Sequence, residues 1–406
     1  MNLITLILAI AIAFGLTDFL TERYPRLQRD IFYIAWCTIA FLFAIKYYYG
    51  PDIASYVPFY ENVPSVSQII AHPDDLDFSF EPGYAVFCRV LKDLGISFYW
   101  MTAILSILYF VVILVFFKKI DRKRSFALAI LVVLDFNVVC YELRQCLAVI
   151  LFLLMVLCLD RKRYIFAMLM ALAAIVSHKS GVVAVVPTLA FYLIGRHASL
   201  KTLSQLLLVI LVVLFLLPVT NLSLGFIDSM PLPEKVIESI HHHLSLGRQV
   251  QMIFFVYAVA LVCLVHYLLY CRTKMEIIAV VAIIGLVCIV TLYQYYYLLN
   301  RIRSYFTPII LVFLFRFVQE AENKQLHIPY GTLIKQTASM VIMLYMMHAT
   351  VALHRGGQVL KNKVNDTCTV FDLIRHRASD VQNAQMKKAT LFWEQDYMHH
   401  ENNKLK

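Results

Sequence analysis

Long uninterrupted runs of apolar residues, separated by short polar turns, recur along most of the chain. Because the runs are continuous rather than alternating, they predict helices and not the strands of a membrane barrel. A helix needs roughly 20 apolar residues to cross the hydrocarbon core, so we predict roughly twelve spans. These are residues 3–20, 31–48, 98–117, 125–140, 146–159, 164–176, 181–194, 203–219, 252–270, 277–297, 304–318 and 339–353.

The composition agrees with a chain that lies mostly in lipid. Apolar residues make up 61% of the 406 residues and charged residues only 15%, whereas a soluble domain is roughly half apolar and a quarter charged. The first run lacks a basic segment before it and a small-residue cleavage site, so we interpret it as a retained helix. We therefore expect an all-α polytopic membrane bundle. It forms one transmembrane domain over residues 1–354, with external loops at about 46–97 and 220–250 and a polar tail at 355–406.

Basic residues concentrate in loops on one side of the predicted membrane, with the strongest clusters at 118–124 and 160–163. Since positively charged loops stay in the cytoplasm, both termini and the loop at 46–97 are predicted to lie outside it. An apolar stretch in that loop, at 86–94, is predicted to re-enter the membrane or to lie along it as an amphipathic segment. The net charge of +10 then reflects orientation and requires no nucleic-acid partner.

A second set of cations lies on the opposite, external side, at the membrane edge. They fall in four predicted external turns, which contain Arg144 with Gln145, His178 with Lys179, Arg248, and Arg301 with Arg303. Ionisable groups at that depth are costly to bury and usually serve a function. A phosphate or diphosphate at the outer interface would neutralise them, and the planar guanidinium of arginine binds phosphate through two N–H groups.

These residues differ in what they can do. Arg144 lies near a helix N-terminus, where the backbone dipole favours an anion. Arg301 and Arg303 are two positions apart, so at most one of them points at the same ligand. His178 can accept a proton near neutral pH. The alternatives are snorkelling to lipid headgroups, a structural pair such as Arg144 with Glu142, and a structural role for His178 at a helix end.

Three other patterns are weaker candidates for chemistry. Asp75 and Asp77 form a D-x-D pair, typical of nucleotide-sugar glycosyltransferases, but their loop is predicted to be external, away from nucleotide donors. The histidines at 241–243 lack ligand partners that we can place, and no cysteines form a C-x-x-C pair. The tyrosines at 293 and 295–297 suit either an interfacial belt or a surface that stacks on sugars. We predict no metal and no cofactor.

Five short motifs follow one another along the chain. They are Gly50-Pro51-Asp52 with Tyr56, Phe80-Glu81-Pro82-Gly83-Tyr84, Arg144-Gln145 with Ala148, Ser177-His178-Lys179-Ser180, and Arg301 followed by Tyr305 and Phe306. In order and rough spacing they resemble the EpsG-type branch of the Wzy-like polysaccharide polymerases. Residues after about His327 carry none of the resemblance.

The resemblance implies a metal-independent membrane glycosyltransferase of GT-C-like architecture. Such an enzyme uses undecaprenyl-diphosphate-linked oligosaccharides as donor and acceptor. It joins them on the external or periplasmic face of the bacterial cytoplasmic (inner) membrane and releases the lipid diphosphate. Membrane lipids and a chain-length regulator are the other partners that this hypothesis implies, with no nucleic acid.

On this hypothesis Arg144 and Arg301 bind the leaving diphosphate, because fixed cations stabilise the charge that develops there. His178 is the first candidate for the general base, with Glu81 or Asp52 as alternatives, although a carboxylate could instead position sugar hydroxyls. The other predicted substrate-binding residues are Arg303, Lys179, Arg248, Gln145 and Tyr84.

Two other functions would also require external cations. A lipid-linked oligosaccharide flippase would favour internal repeats and charges at the bilayer midplane, and neither is evident in the sequence. A related transferase, such as an O-antigen ligase or a multi-span acyltransferase, would need similar electrostatics. The ligase would differ from the polymerase in its acceptor, which the sequence does not reveal.

Overall fold

The computed structural model describes residues 3–46, 52–71, 80–195, 277–291, 296–323, 377 and 379–391. All the secondary-structure elements of several residues in these ranges are helices. This confirms the all-α prediction for the described part of the chain. The helices are α1 (Leu3–Leu20), α2 (Pro25–Ala44), α3 (Ile53–Asn62), α4 (Val66–Ala71), α5 (Pro82–Asp93), α6 (Phe98–Phe117), α7 (Arg124–Cys140), α8 (Leu143–Asp160), α9 (Tyr164–Ser177), α10 (Gly181–Gly195), α11 (Ile277–Thr291), α12 (Tyr296–Asn323) and α13 (379–391).

Four of the described helical segments are long and apolar enough to cross a membrane. They are Pro25–Ala44, Phe98–Phe117, Leu143–Asp160 and Leu299–Glu320, and shorter apolar helices accompany them. The described part of the chain is thus that of a multi-pass membrane protein. The predicted spans at 203–219, 252–270 and 339–353 lie outside the described residues, so the count of twelve stays a prediction.

The described part of the loop predicted at 46–97 contains three helices, α3 to α5. Pro82 occupies the first turn of α5, where its missing N–H costs nothing. Gly95, with φ 74°, follows the last turn in the left-handed conformation that commonly ends a helix. The helix buries Tyr84 and Cys88 and exposes Val90. The placement of the apolar stretch at 86–94, re-entering the membrane or lying along it, stays a prediction.

The chain divides into two compact units. The first comprises residues 1–154, 169–181 and 346–406, and the second comprises 155–168 and 182–345. In the second unit α11 packs closely on α12, since a Cβ on Gly285 would overlap the Cβ of Phe306. The residues of the candidate site that lie together belong to the first unit.

In the first unit, side chains from other parts of the chain hold both ends of the buried helix α7. Near its start, the backbone N–H of Phe126 donates to Asp18 Oδ2 of α1 over 2.8 Å. Near its end, Lys46 Nζ donates to the carbonyl of Val139 over 2.7 Å and to Ser106 Oγ over 2.6 Å. A helix leaves its first N–H groups and last carbonyls without partners inside the helix. An anion at the start and a cation at the end also match its macrodipole.

Lys46 lies where the predicted span 31–48 meets the predicted external loop at 46–97, and its residue is only 4% exposed. Sequence alone assigns a lysine after an apolar run to the membrane edge. Its side chain reaches the end of α7, where backbone and hydroxyl oxygens replace its hydration.

We expect Lys46→Met to destabilise the protein by about 1–3 kcal/mol, because it leaves the Val139 carbonyl without its charged donor. Thermal unfolding in detergent would show a lower Tm. Lys118→Met is the matched control, since that side chain is exposed at the end of α6. Equal Tm values for the two variants would contradict the capping role of Lys46.

Candidate functional site

Three distant segments of the chain meet around one ion pair in the first unit. Arg144 Nη1, in the first turn of α8, donates to Glu81 Oε2 over 3.0 Å. The second oxygen, Glu81 Oε1, accepts from the backbone N–H of Lys179 over 3.3 Å. The carboxylate therefore connects the start of α8 to the turn that follows α9.

This ion pair is largely withdrawn from water. The side chain of Glu81 is 8% exposed and that of Arg144 is 22% exposed. A charge removed from water needs an opposite charge and hydrogen bonds to offset its lost hydration. Removing either partner would leave the other charge without that compensation.

Aromatic rings from α3 and from the residue before Glu81 orient the guanidinium. Arg144 Nε donates to the hydroxyl of Tyr56 over 3.4 Å. The guanidinium carbon lies 5.9 Å from the ring centroid of Tyr56 and 5.1 Å from that of Phe80. Phe80 in turn stacks on Phe59 with centroids 3.8 Å apart. A planar cation held at Nε, at Nη1 and over aromatic rings has a defined direction, which a flexible ammonium lacks.

Tyr56 is a neutral hydrogen-bonding group at this position. Burial raises its pKa to about 12; the nearby charge of Arg144 lowers the pKa, and the charge of Asp52 raises it. The phenol therefore keeps its proton near neutral pH. Asp52 is the N-cap residue of α3, so its charge acts on the same cluster. Tyr84 packs against Tyr56 with ring centroids 5.8 Å apart, and burial raises its pKa well above the usual value.

Gly83 allows α5 to approach the end of α9. A Cβ at Gly83 would lie 2.8 Å from the backbone carbonyl carbon and oxygen of Val176. Because Val176 lies three residues before Lys179, this close approach brings Glu81 to the Lys179 N–H. Pro82 starts α5 directly after Glu81, and the Glu81 side chain makes no capping bond to its own helix.

His178 lies in the turn between α9 and α10, as the sequence predicted, and is 8% exposed. Its Nδ1 accepts from the backbone N–H of Ser180 over 3.1 Å and lies 2.7 Å from Ser180 Oγ. The turn is tight, because a Cβ on Gly181 would lie 2.7 Å from the carbonyl oxygen of Ala174. His178 is thus held next to Lys179, whose N–H binds Glu81.

The remaining predicted residues do not all join this cluster. Gln145 is buried beside Arg144 in the first turn of α8, with 2% exposure. Arg301 and Arg303 belong to the second unit and lie within α12, so the prediction that they occupy a turn is wrong. Nothing between Tyr296 and Arg303 breaks a helix, since that stretch contains no glycine or proline.

Several predictions fall on residues that the structure does not describe. They concern Arg248, Asp75, Asp77, the histidines at 241–243, the tyrosines at 293 and 295, and most of the tail. Among the described residues, no group of three or more His, Cys, Asp or Glu side chains could hold a metal ion.

The partners of Arg144 are not evident from the sequence. The sequence suggests the neighbouring Glu142 as a possible pair, whereas the structure shows a bond to Glu81, 63 positions away. Tyr56 and Phe80 belong to the motifs, but the sequence assigns no role to either. The available signal is that the set of motifs that contains Arg144 also contains aromatic residues and two carboxylates, those of Asp52 and Glu81.

A family model described as the EpsG family matches residues 31–360, well over half of the chain. The match spans all five motifs and confirms the resemblance on which the sequence interpretation rests. It extends past His327, so the expectation that residues after about that position carry none of the resemblance is wrong. No curated protein and no solved structure matches the chain.

Proposed function

Since the chain belongs to the EpsG family, we propose that it joins undecaprenyl-diphosphate-linked oligosaccharide units into a polysaccharide. The family association supports a Wzy-like polymerase with glycosyltransferase-type activity on exopolysaccharide or a related glycan. In the proposed reaction a hydroxyl of the incoming unit attacks the sugar carbon that is bound to the lipid diphosphate. A new glycosidic bond forms, the bond from carbon to diphosphate oxygen breaks, and the lipid diphosphate leaves.

The observation that carries this proposal is the oriented guanidinium of Arg144. Negative charge grows on the diphosphate oxygen as its bond to the sugar breaks. Donors that already point at that position stabilise the charge without reorganising. Glu81, Tyr56 and Phe80 hold the guanidinium in one direction. We propose that a diphosphate docks against this guanidinium and that the Lys179 side chain assists.

The other site assignments rest on the sequence: on the motifs or, for Arg248 and Arg303, on the predicted set of external cations. Arg301 is the proposed second cation for the diphosphate, and Arg248, Arg303, Gln145 and Tyr84 complete the proposed substrate-binding set. The acceptor hydroxyl must lose a proton, and the candidates that can receive it are His178, Glu81 and Asp52. Both carboxylate oxygens of Glu81 already accept hydrogen bonds, which favours a role in holding Arg144.

We propose a GT-C-like architecture of about twelve spans for the whole chain. One transmembrane domain at 1–354 would precede the polar tail at 355–406. The basic loops support an orientation in which the site faces the exterior or periplasm of the bacterial cytoplasmic (inner) membrane. A chain-length regulator is the proposed protein partner.

Reconstitution tests the proposal directly. Purified protein in liposomes receives lipid-diphosphate-linked repeat units, and the products are separated by length on a gel. A ladder of multimers is the expected result. Units that cross the bilayer unchanged would indicate a flippase instead, and a single transfer to a different acceptor would indicate a ligase.

We also expect EDTA to leave the rate of ladder formation unchanged. Fixed side-chain cations supply the charge stabilisation that a metal would otherwise supply. The rate is measured with and without chelator, and then after Mg²⁺ is added back. If EDTA abolished the ladder and added Mg²⁺ restored it, this expectation would be contradicted. Asp75 and Asp77 would then be the candidate metal ligands.

A further inference from the structure

Ser180 directs two hydrogen-bonding groups at the same nitrogen of His178. Its backbone N–H donates to Nδ1 over 3.1 Å, and its Oγ lies 2.7 Å from that atom. A backbone N–H can only donate, so Nδ1 must present its lone pair. In the neutral ring the proton is therefore on Nε2.

We infer that Ser180 is a positioning residue that fixes His178 in its Nε2–H tautomer, so that His178 donates a hydrogen bond to a substrate oxygen and does not act as the general base. The inference rests on the proposed polymerase function. The oxygens of a lipid diphosphate are the chemical match, because they gain negative charge as the bond to the sugar breaks.

Proton uptake by the ring would oppose this arrangement. In an imidazolium both nitrogens carry hydrogen, so Nδ1–H would face the Ser180 N–H and that hydrogen bond would be lost. His178 is 8% exposed, so water has little access to replace the bond. The acceptor proton then passes to another group, for which Asp52 and Glu81 are the carboxylates among the site residues.

Three substitutions of His178 separate a donor from a base. Glutamine supplies an N–H close to the position of Nε2 but cannot take up a proton near neutral pH. Asparagine can replace only the acceptor at the Nδ1 position, and alanine replaces neither group. We expect His178→Gln to keep ladder formation within about tenfold of the wild type, while His178→Asn and His178→Ala lose about 100-fold. Equal loss in all three folded variants would overturn the inference, because a base role requires the imidazole itself.

A double-mutant comparison tests the role of Ser180. Ser180→Ala keeps the backbone N–H that fixes the tautomer and removes only the hydroxyl that helps to hold the ring. It should therefore slow the reaction no more than several-fold, and Ser180→Thr, which keeps both groups, should retain the rate. In the His178→Gln background the alanine change should have no further effect, because no imidazole Nδ1 remains for the hydroxyl to hold. The same several-fold loss in both backgrounds would show that Ser180 is merely structural and would overturn its positioning role.

The tautomer can also be measured without any polymerisation assay. The measurement is NMR of protein labelled with ¹⁵N-histidine, in which the imidazole signal of His178 is identified as the one that is missing from the spectrum of His178→Ala. We expect a protonated Nε2 and an unprotonated Nδ1; a protonated Nδ1 would overturn the inference. If the wild type gave this tautomer but no ladder, the proposed function would fail while the tautomer assignment stood. If it gave a ladder with Nδ1 protonated, only the inference would fail.

Discussion

Arg144→Lys is expected to lower the rate of ladder formation by at least about 100-fold although the positive charge is kept. The guanidinium uses Nη1 on Glu81 and Nε on the Tyr56 hydroxyl at the same time. A single ammonium cannot reproduce that planar geometry or present a two-pronged donor to a diphosphate. Initial rates of the reconstituted reaction, measured at saturating lipid-linked units, would report the loss.

A matched control exists on the neighbouring helix α5. Arg89 pairs with Asp93 over 2.6 Å on a partly exposed surface, so Arg89→Lys should leave the rate unchanged. A wild-type ladder from Arg144→Lys would exclude the proposed diphosphate role of Arg144.

Comparison with Arg144→Ala separates folding from chemistry. Lysine still offers a cation to the buried carboxylate of Glu81, whereas alanine leaves that charge uncompensated. We therefore expect a smaller drop in Tm for the lysine variant than for the alanine variant, with both inactive. If the two variants had equally low Tm values, the lost activity of Arg144→Lys would be explained by misfolding and not by chemistry.

The sequence predicts the helices best where polar residues mark both ends of an apolar run. The predicted span at 98–117 coincides with α6, which Ser97 and Lys118 flank. The start of α12 is not predicted, because charged residues such as Arg301 and Arg303 are typical of a turn between spans, while helices continue through charged residues unless a backbone feature stops them. Charge thus indicates the membrane boundary, whereas helix ends depend on capping and on helix breakers.

The motifs identify several site residues but not their contacts. The opposite charges of Arg144 and Glu81 are both evident in the motifs, yet a sequence without an alignment contains no distance between them. Asp18 and Lys46 are less predictable, because each binds backbone groups of α7. A backbone N–H or carbonyl exists at almost every position. When a side chain binds a backbone group, the sequence therefore contains no residue of complementary type that would identify its partner.

Gly83 is the site residue whose importance follows only from the structure, and Gly83→Ala is expected to reduce the polymerisation rate by about 100-fold. The added methyl would meet the Val176 carbonyl, with its carbon and oxygen both 2.8 Å away. Backbone atoms cannot rotate away, so α5 must shift from α9. That shift would lengthen the contact between Glu81 and the Lys179 N–H, now 3.3 Å, and misplace the carboxylate that holds Arg144.

Two further variants distinguish this backbone clash from a general disturbance of α5. Val90→Ala alters an exposed position of the same helix and should leave the rate unchanged. Val176→Ala removes the Cγ2 atom that would also lie 2.8 Å from the added methyl, but it keeps the carbonyl. Combined with Gly83→Ala, it should therefore fail to restore the rate. Full rescue by Val176→Ala would mean that only side chains collide and that the approach of the two backbones does not set the position of Glu81.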